Sequence, residues 1–178
     1  MTENNANDFL QSFYPEEYFK INEIQNKPNK ILIKMKSKSH SCLCQKCGQE
    51  AGQYHGTYIR NVQDLTILGK NVMLQIKFYE YKCENPECDA VSTVEDFGDF
   101  LGYHGRKTER LEDFLCTLAL ETSCEGATCK CKEIGIKTSG DSIIRTLIKK
   151  YEKQPMPKCG DVVGIDDFAF KKRFTYGT

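Results

Sequence analysis

Four cysteines in two short pairs are the residues of this chain best suited to chemistry. Cys44 and Cys47 form a Cys-x-x-Cys pair followed by Gly48, and Cys83 and Cys88 form a second pair after 35 intervening residues. Zn²⁺ takes four thiolates tetrahedrally, and two short cysteine pairs separated by a longer segment can supply them. The pattern therefore predicts a structural zinc site, with ordinary buried or free thiols as the alternative.

Other cysteines and one histidine are weaker metal candidates. Cys42 can replace a ligand, although the Cys-x-x-Cys-Gly spacing favours Cys44. We assign His55 to the surface, because a metal with four thiolates needs no further ligand. Cys129 and Cys131 are two residues apart on a predicted helix and point to different sides, so we predict no second zinc there.

The segment between the two pairs predicts a β-hairpin that positions them. Runs rich in β-branched and aromatic residues cover 54–67 and 72–83, with a turn at Gly69 between them. The second run ends at Cys83, so the hairpin can carry one pair back toward the other. This is a zinc ribbon in outline.

The residues before the ribbon, 1–41, are interpreted as a leader with a short helix and one strand. The strand covers residues 30–38, where apolar residues alternate with lysines. Those lysines can contact phosphate, but lysines also keep an edge strand soluble. We favour the edge-strand interpretation.

Helical periodicity follows the ribbon. Thr108 is the predicted N-cap of a first helix, a second helix covers 125–134 with Gly135 as its C-cap, and Ser139 can cap a third. The predicted buried stripe of the third helix consists of Ile144, Leu147, Ile148 and Tyr151.

The second and third helices match a helix-turn-helix, whose third helix would contact DNA. The predicted contact residues are Ser142, Arg145, Thr146, Lys149 and Lys150. A plain three-helix bundle with a solvated charged face remains open. The chain has 25 basic and 25 acidic residues, so its net charge does not indicate nucleic-acid binding by itself.

Beyond a proline-containing linker, residues 161–170 predict another strand, with Asp166 and Asp167 in its apolar middle. A carboxylate in an apolar strand is costly unless it is paired, exposed or bound to a metal. Carboxylates that hold Mg²⁺ for phosphoryl transfer are placed in this way. An exposed strand end is the alternative.

No stretch of the chain approaches the roughly 20 apolar residues of a membrane span, and its polar, acidic start is unlike a signal peptide. We therefore expect a cytoplasmic protein without a membrane partner. In that compartment its ten cysteines indicate metal ligands and free thiols rather than disulfides.

Taken together, the motifs resemble bacterial insertion-sequence transposases of the L-three family, over roughly residues 40–178. The resemblance is carried by Cys44-x-x-Cys47-Gly, His55-x-x-Tyr58-x-Arg60, Gln63-Asp-Leu, Tyr81-Lys-Cys-Glu-Asn-Pro-Glu-Cys88, Arg106-Lys-Thr-Glu-Arg-Leu111 and the segment from Gly164-Ile-Asp-Asp to Thr178. It implies a zinc ribbon and a helix-turn-helix that bind double-stranded DNA at the terminal inverted repeats. It also implies an RNase H-like DDE catalytic domain after them.

The resemblance makes Asp166 the first catalytic carboxylate and gives Asp167 a secondary place. In a complete catalytic domain, three carboxylates would hold Mg²⁺ for DNA cleavage and strand transfer. The sequence stops at Thr178, near the expected second strand. We therefore expect no transposition from this chain alone, and partners that include self-association or an intact transposase.

These interpretations predict an α+β fold: a small β-rich zinc ribbon, a helix-turn-helix region and the first strand of a truncated RNase H-like domain. The predicted divisions are 1–41, 42–104, 105–152 and 153–178. Two alternative functions remain: a stand-alone DNA-binding regulator derived from a transposase, and a zinc-stabilised protein-interaction module.

Overall fold

The computed structural model describes residues 8–152, Pro155, and two short segments at 168–171 and 175–177. The chain forms two compact units, Met1–Leu147 and Ile148–Thr178, and each is described by itself. Strands and helices are both present, and the predicted α+β class is confirmed.

A five-stranded sheet forms the centre of the first unit. Its strands are β1 (Phe19–Lys27), β2 (Lys30–Ser37), β5 (Gln53–Ile67), β6 (Lys70–Lys82) and β7 (Thr93–Val94). The order is β1-β2-β6-β5, with β7 paired to the end of β6. The β1–β2 and β5–β6 pairs are antiparallel hairpins, whereas β2 and β6 run parallel. The predicted hairpin between the cysteine pairs is thus present as β5–β6.

The strand predicted at residues 30–38 does not lie at an edge. β2 pairs with β1 on one side and with β6 on the other, so the edge-strand interpretation is wrong. The alternation in the sequence indicated a strand, but its parallel partner begins only at Lys70 and leaves no local signal. Solubility of an edge therefore does not explain the lysines of β2.

One face of the sheet packs against aromatic and aliphatic side chains that flank it in sequence. From the sheet come Phe19, Ile33, Leu74, Ile76 and Phe78, all fully buried. Tyr14, Phe97 and Leu101 complete the same core. Residues before and after position 41 thus share one core, while the predicted domain divisions stay predictions.

Three helices follow the sheet: α1 (Glu109–Glu121), α2 (Cys124–Glu133) and α3 (Gly140–Tyr151). The predicted cap is present, since the Thr108 hydroxyl accepts a hydrogen bond from the Leu111 amide. The Ser123 hydroxyl caps α2 in the same way at 3.0 Å. The helices share a second core built from Leu111, Leu115, Ala119, Ala127, Cys131, Ile136 and Ile143.

The buried stripe of α3 is shifted by one residue from the prediction. Ile143 is fully buried, whereas Ile144 and Ile148 are 44% and 55% exposed. Of the predicted stripe, Leu147 packs against the core and Tyr151 is exposed. Because Ile143 and Ile144 are adjacent, periodicity alone could not decide which of them faces the other helices.

The second unit contains a short antiparallel pair, β8 (Phe168–Lys171) and β9 (Thr175–Gly177). Most of the strand predicted at 161–170, including Asp166 and Asp167, lies outside the described residues. Within the part of the chain that the structure describes, no helix is long and apolar enough to cross a membrane.

The buried carboxylate of Glu95 bonds two neighbouring strands of the sheet, β2 and β6. Glu95 is 5% exposed and accepts hydrogen bonds from the Ser37 hydroxyl at 2.5 Å and the Tyr79 amide at 2.9 Å. Burial raises the pKa of Glu95 above its ordinary value of 4.5, despite these donors. The folded protein therefore binds this proton more tightly than the unfolded chain does.

This raised pKa predicts a specific pH dependence of stability. Between pH 4.5 and the raised pKa, the folded state holds more protons, so the contribution of Glu95 to the free energy of unfolding falls as pH rises. Urea unfolding of the wild type and Glu95→Gln should show a stability difference that shifts in favour of the Gln variant with rising pH. A difference that stays constant from pH 4.5 to 7 would contradict this prediction.

Candidate metal centre

The four predicted cysteine ligands come together at one end of the β5–β6 hairpin. The Sγ atoms of Cys44, Cys47, Cys83 and Cys88 all lie within 4.8 Å of one another. Cys44 and Cys83 are buried, and Cys47 and Cys88 are half-buried. Among the described residues, this is the one group of three or more His, Cys, Asp or Glu side chains close enough to share a metal ion.

The spacing of the sulfur atoms fits a tetrahedral zinc ion. Zinc–sulfur bonds of about 2.3 Å in a tetrahedron place neighbouring sulfurs about 3.8 Å apart. The Cys47 and Cys83 Sγ atoms are 3.6 Å apart, and the Cys44 and Cys88 Sγ atoms 3.9 Å apart. Four thiolates without oxygen ligands favour Zn²⁺ over Mg²⁺ or Ca²⁺.

The first cysteine pair sits on a tight turn that the backbone closes. The Gly48 amide donates to the Cys44 carbonyl at 2.7 Å, and the Cys44 amide donates to the Gln49 carbonyl at 2.7 Å. Gly48 has φ +73°, a conformation that a residue with a Cβ rarely adopts. This is why the Cys-x-x-Cys pair is followed by glycine.

The second pair is held by an asparagine-centred turn after β6. The Asn85 side chain accepts from the Glu87 amide at 3.0 Å, and the Asn85 carbonyl accepts from the Cys88 amide at 3.0 Å. This turn folds Cys88 back over Cys83, the first residue after β6. The wider Cys-x4-Cys spacing is thus accommodated by local hydrogen bonds.

The backbone favours ionisation of the first pair. The pKa of Cys47 is lowered to about 6, chiefly because the Gln49 amide donates to its sulfur. Backbone amides of the same turn also lower the pKa of Cys44. A backbone amide favours the Cys83 thiolate too, but burial and the neighbouring thiols outweigh it and raise the pKa of Cys83 to about 12. A cation bound between the four sulfurs would favour the thiolate form of each cysteine.

Cys42 lies beside the cluster but outside the group of four. It belongs to the two-stranded sheet formed by β3 (Cys42–Leu43) and β4 (Glu50–Ala51), and burial raises the pKa of its thiol. Cys129 is exposed on α2, and Cys131 is buried in the helical core.

Removing one thiolate tests the metal centre. Cys88→Ser should strongly lower zinc affinity, because structural zinc sites bind through all four ligands. Zinc content by atomic absorption and the melting temperature should both fall. Cys129→Ser removes an exposed thiol outside the cluster and is the matched control. Equal zinc content and stability in the two variants would refute the site.

A buried carboxylate joins the hairpin to the helices. Asp64, on β5, is 1% exposed. It accepts from the Thr108 hydroxyl at 2.7 Å and from Arg110 Nε at 2.8 Å, and Arg110 also reaches its second oxygen as an ion pair. Arg110 stacks over the Tyr14 ring, with 5.1 Å from the guanidinium carbon to the ring centroid. This junction connects β5, the cap of α1 and the residues before β1.

The neighbouring Gln63 joins the same hairpin to the turn between α2 and α3. Its backbone bonds Arg106 and Thr108. With the side-chain amide oriented to match its neighbours, Gln63 donates to the Lys137 carbonyl and accepts from the Lys137 amide, both at 3.0 Å. Close beside it, Gly135 lies so near the Gly69 carbonyl that an added Cβ would come within 2.7 Å of that oxygen. The turn between α2 and α3 is therefore fixed to the hairpin tip.

These contacts explain two motifs that the sequence showed without a structural role. Gln63-Asp-Leu and Arg106-Lys-Thr-Glu-Arg-Leu111 are the two sides of one junction. The available signal for a buried partner was Asp64, a charged residue between the apolar Val62 and Leu65. Arg60 is also structural, since it donates to the Tyr58 hydroxyl at 2.8 Å and stacks over Phe78.

The predicted DNA-contacting residues are not equally accessible. Arg145, Lys149 and Lys150 are exposed on α3. Ser142 is half-buried and accepts a hydrogen bond from Lys107 Nζ at 2.7 Å. Thr146 is only 7% exposed, so its predicted place on the open face is wrong. Because the buried stripe of α3 is shifted by one residue, Thr146 lies on the buried side of the helix.

The junction predicts a large cost for loss of the Asp64 charge. Asp64→Asn should lower the free energy of unfolding by about 2–4 kcal/mol, toward the low end because the Arg110 side chain is 40% exposed. Urea unfolding measures this. Glu23→Gln removes an exposed ion pair with Lys34 and should leave stability unchanged. Similar stability of both variants would contradict the proposed importance of the junction.

The cysteine-rich segment is similar to a known protein family. Residues 40–88 match the family described as the zinc-finger of transposase IS204/IS1001/IS1096/IS1165. This match covers all four clustered cysteines. No solved structure matches the chain.

A curated relative extends the similarity beyond the ribbon. The transposase for insertion sequence element IS1001 of Bordetella parapertussis is 26% identical over 154 residues, covering 83% of this chain and 35% of the relative. The chain thus spans about a third of that protein's length. Together the two comparisons confirm the resemblance expected from the sequence: the chain is similar to the N-terminal portion of insertion-sequence transposases, with their zinc ribbon at residues 40–88.

Proposed function

We propose that this chain binds double-stranded DNA at the terminal inverted repeats of an insertion sequence, using a zinc-loaded ribbon and the helix-turn-helix. The observation that carries the proposal is the arrangement around the β5–β6 hairpin. The four thiols cluster at one end of this hairpin, and the helices are attached at the other end. A structural Zn²⁺ bound by Cys44, Cys47, Cys83 and Cys88 would fix the ribbon end.

The contacts at the hairpin tip support recognition of one DNA site by the zinc ribbon and the helix-turn-helix together. Asp64, Gln63 and Gly135 join the strands and helices through buried polar or close backbone contacts. Two modules joined in this way keep a fixed spacing, which favours one defined DNA site over two independent ones. Arg145 on α3 supplies an exposed guanidinium suited to phosphate or guanine.

The resemblance extends the proposal to catalysis by the whole enzyme. Asp166 is proposed as its first catalytic carboxylate, with Asp167 in a secondary place, and Mg²⁺ as the ion that such carboxylates hold. In the complete enzyme they would act in DNA cleavage and strand transfer. Association with another transposase chain is part of the same proposal.

A zinc-stabilised protein-interaction module is the second candidate. It is favoured by the equal numbers of basic and acidic residues in the chain. A protein partner would bind with little dependence on salt, whereas DNA binding weakens steeply as salt rises. The dependence of binding on salt concentration therefore separates the two candidates.

The decisive experiment is a gel shift of the zinc-loaded protein with DNA from the ends of its element, across 50–300 mM salt. A specific shift that weakens with salt supports the proposal. The competitor is a duplex of the same length and scrambled sequence. Equal affinity for both duplexes would contradict recognition of the element ends. Absence of any shift would contradict DNA binding altogether.

Removing two charges tests the role of α3. Arg145→Gln with Lys149→Gln should reduce the slope of log affinity against log salt by about 1.8, or 0.9 per phosphate contact. The control is Lys27→Gln with Lys38→Gln, which removes two exposed charges from the region of β1 and β2. Fluorescence anisotropy gives both slopes. An unchanged slope in the α3 variant would place the DNA contacts elsewhere.

A further inference from the structure

Three lysines form a row across the open face of the sheet. Lys20 on β1 pairs with Lys36 on β2, and Lys36 pairs with Lys77 on β6. All three are exposed, while their sequence neighbours Phe19, Met35 and Ile76 are buried on the opposite face. Since strands lie about 4.8 Å apart, the three ammonium groups extend from a line about 10 Å long.

The charge of this row is not balanced within the described residues. No carboxylate there forms an ion pair with any of the three lysines. Lys77 instead lies near the Tyr79 ring, with Nζ 5.9 Å from its centroid. Like charges directly opposite each other on neighbouring strands are unfavourable, so the row lowers the stability of the sheet.

The adjacent row shows a different arrangement. There Glu23 pairs with Lys34, and their side chains form an ion pair of 2.9 Å. The row continues with the uncharged Gln75 and Asn61. Charge pairing is therefore available on this face, and the Lys20–Lys36–Lys77 row lacks it.

Protection of a sheet edge does not account for the row. Lys36 and Lys77 lie on β2 and β6, which are paired on both sides in the sheet order β1-β2-β6-β5. Edge lysines prevent pairing with another chain, and interior strands do not need them. Unbalanced ammonium groups are complementary to the closely spaced phosphates of duplex DNA, which carries one negative charge per about 1.7 Å of its axis.

We propose that Lys20, Lys36 and Lys77 form a third DNA-binding surface, which contacts backbone phosphates of the duplex without reading its sequence. This inference rests on the proposed function. It adds a surface that belongs neither to the zinc ribbon nor to the helix-turn-helix. Lysine is suited to this role because its ammonium is a flexible point charge.

The position of the row along β6 fits such a contact. Lys77 lies six residues from Asn71, which bonds the Gly135 carbonyl at the helical end, and six residues from Cys83 at the metal end. At about 3.3 Å per residue, each end is about 20 Å away. A duplex bound at both ends spans about 40 Å, slightly more than one turn of B-DNA. The row lies midway between the two ends, at the level of the phosphates in the middle of such a duplex.

The test removes the two interior-strand charges. Lys36→Gln with Lys77→Gln should reduce the slope of log affinity against log salt by about 1.8, equally for end DNA and scrambled duplex. The ratio of the two affinities should remain unchanged, because phosphate contacts carry no sequence information. Lys36→Arg with Lys77→Arg keeps both charges and should retain the wild-type slope. Lys27→Gln with Lys130→Gln, which removes two exposed charges outside the row, is the control for loss of charge alone.

The outcomes separate this inference from the proposed function. Specific DNA binding by the wild type with an unchanged slope in the Lys36/Lys77 variant overturns the lysine surface only. No DNA binding by the wild type overturns both. If the slope falls equally in the control variant, the effect comes from net charge alone. That result would also overturn the proposed lysine surface. Thermal unfolding should show a melting temperature at or above wild type for the Gln variant, since like-charge repulsion is relieved.

Discussion

The buried carboxylate of Asp64 constrains the relation between the strands and the helices. Its charge is tolerated at 1% exposure because Thr108 and Arg110 both donate to it. Thr108 is at the same time the N-cap of α1, so satisfying Asp64 also fixes where the first helix begins. The need to bond the buried Asp64 carboxylate thereby fixes the position of the helical core relative to the hairpin. The distance between the cysteine cluster and α3 is defined as a result.

The two ends of the hairpin are stabilised by different physical means. At the tip, backbone contact between Gly135 and Gly69 and the amide of Gln63 leave little freedom for the turn before α3. At the other end, four thiols converge from two turns, and their mutual repulsion as thiolates must be offset by a cation. Loss of metal would therefore loosen the ribbon end first, while the junction at Asp64 retains the helices.

Local signals in the sequence predicted local structure well. The turn within each cysteine pair, the glycine after the first pair and the Thr108 cap each depend on a few neighbouring residues, and each is present. The pairing of β2 with β6 could not be predicted, because a parallel partner 41 residues away leaves no periodic pattern in the sequence. The face of α3 was misjudged for another reason: Ile143 and Ile144 are equally apolar, and only packing decides between them. The lysine row follows from strand register, which the sequence does not display.

The parallel pairing of β2 with β6 has a consequence for how the protein reaches this structure. The β1–β2 and β5–β6 hairpins consist of local contacts and can form within microseconds, whereas the register Lys30–Asn71 joins residues distant in sequence and closes a long loop. Capture of a metal by Cys44, Cys47, Cys83 and Cys88 closes a loop of similar length and lowers the entropy cost of the later pairing. Metal availability would then control the folding rate of the central sheet as well as the final stability of the ribbon.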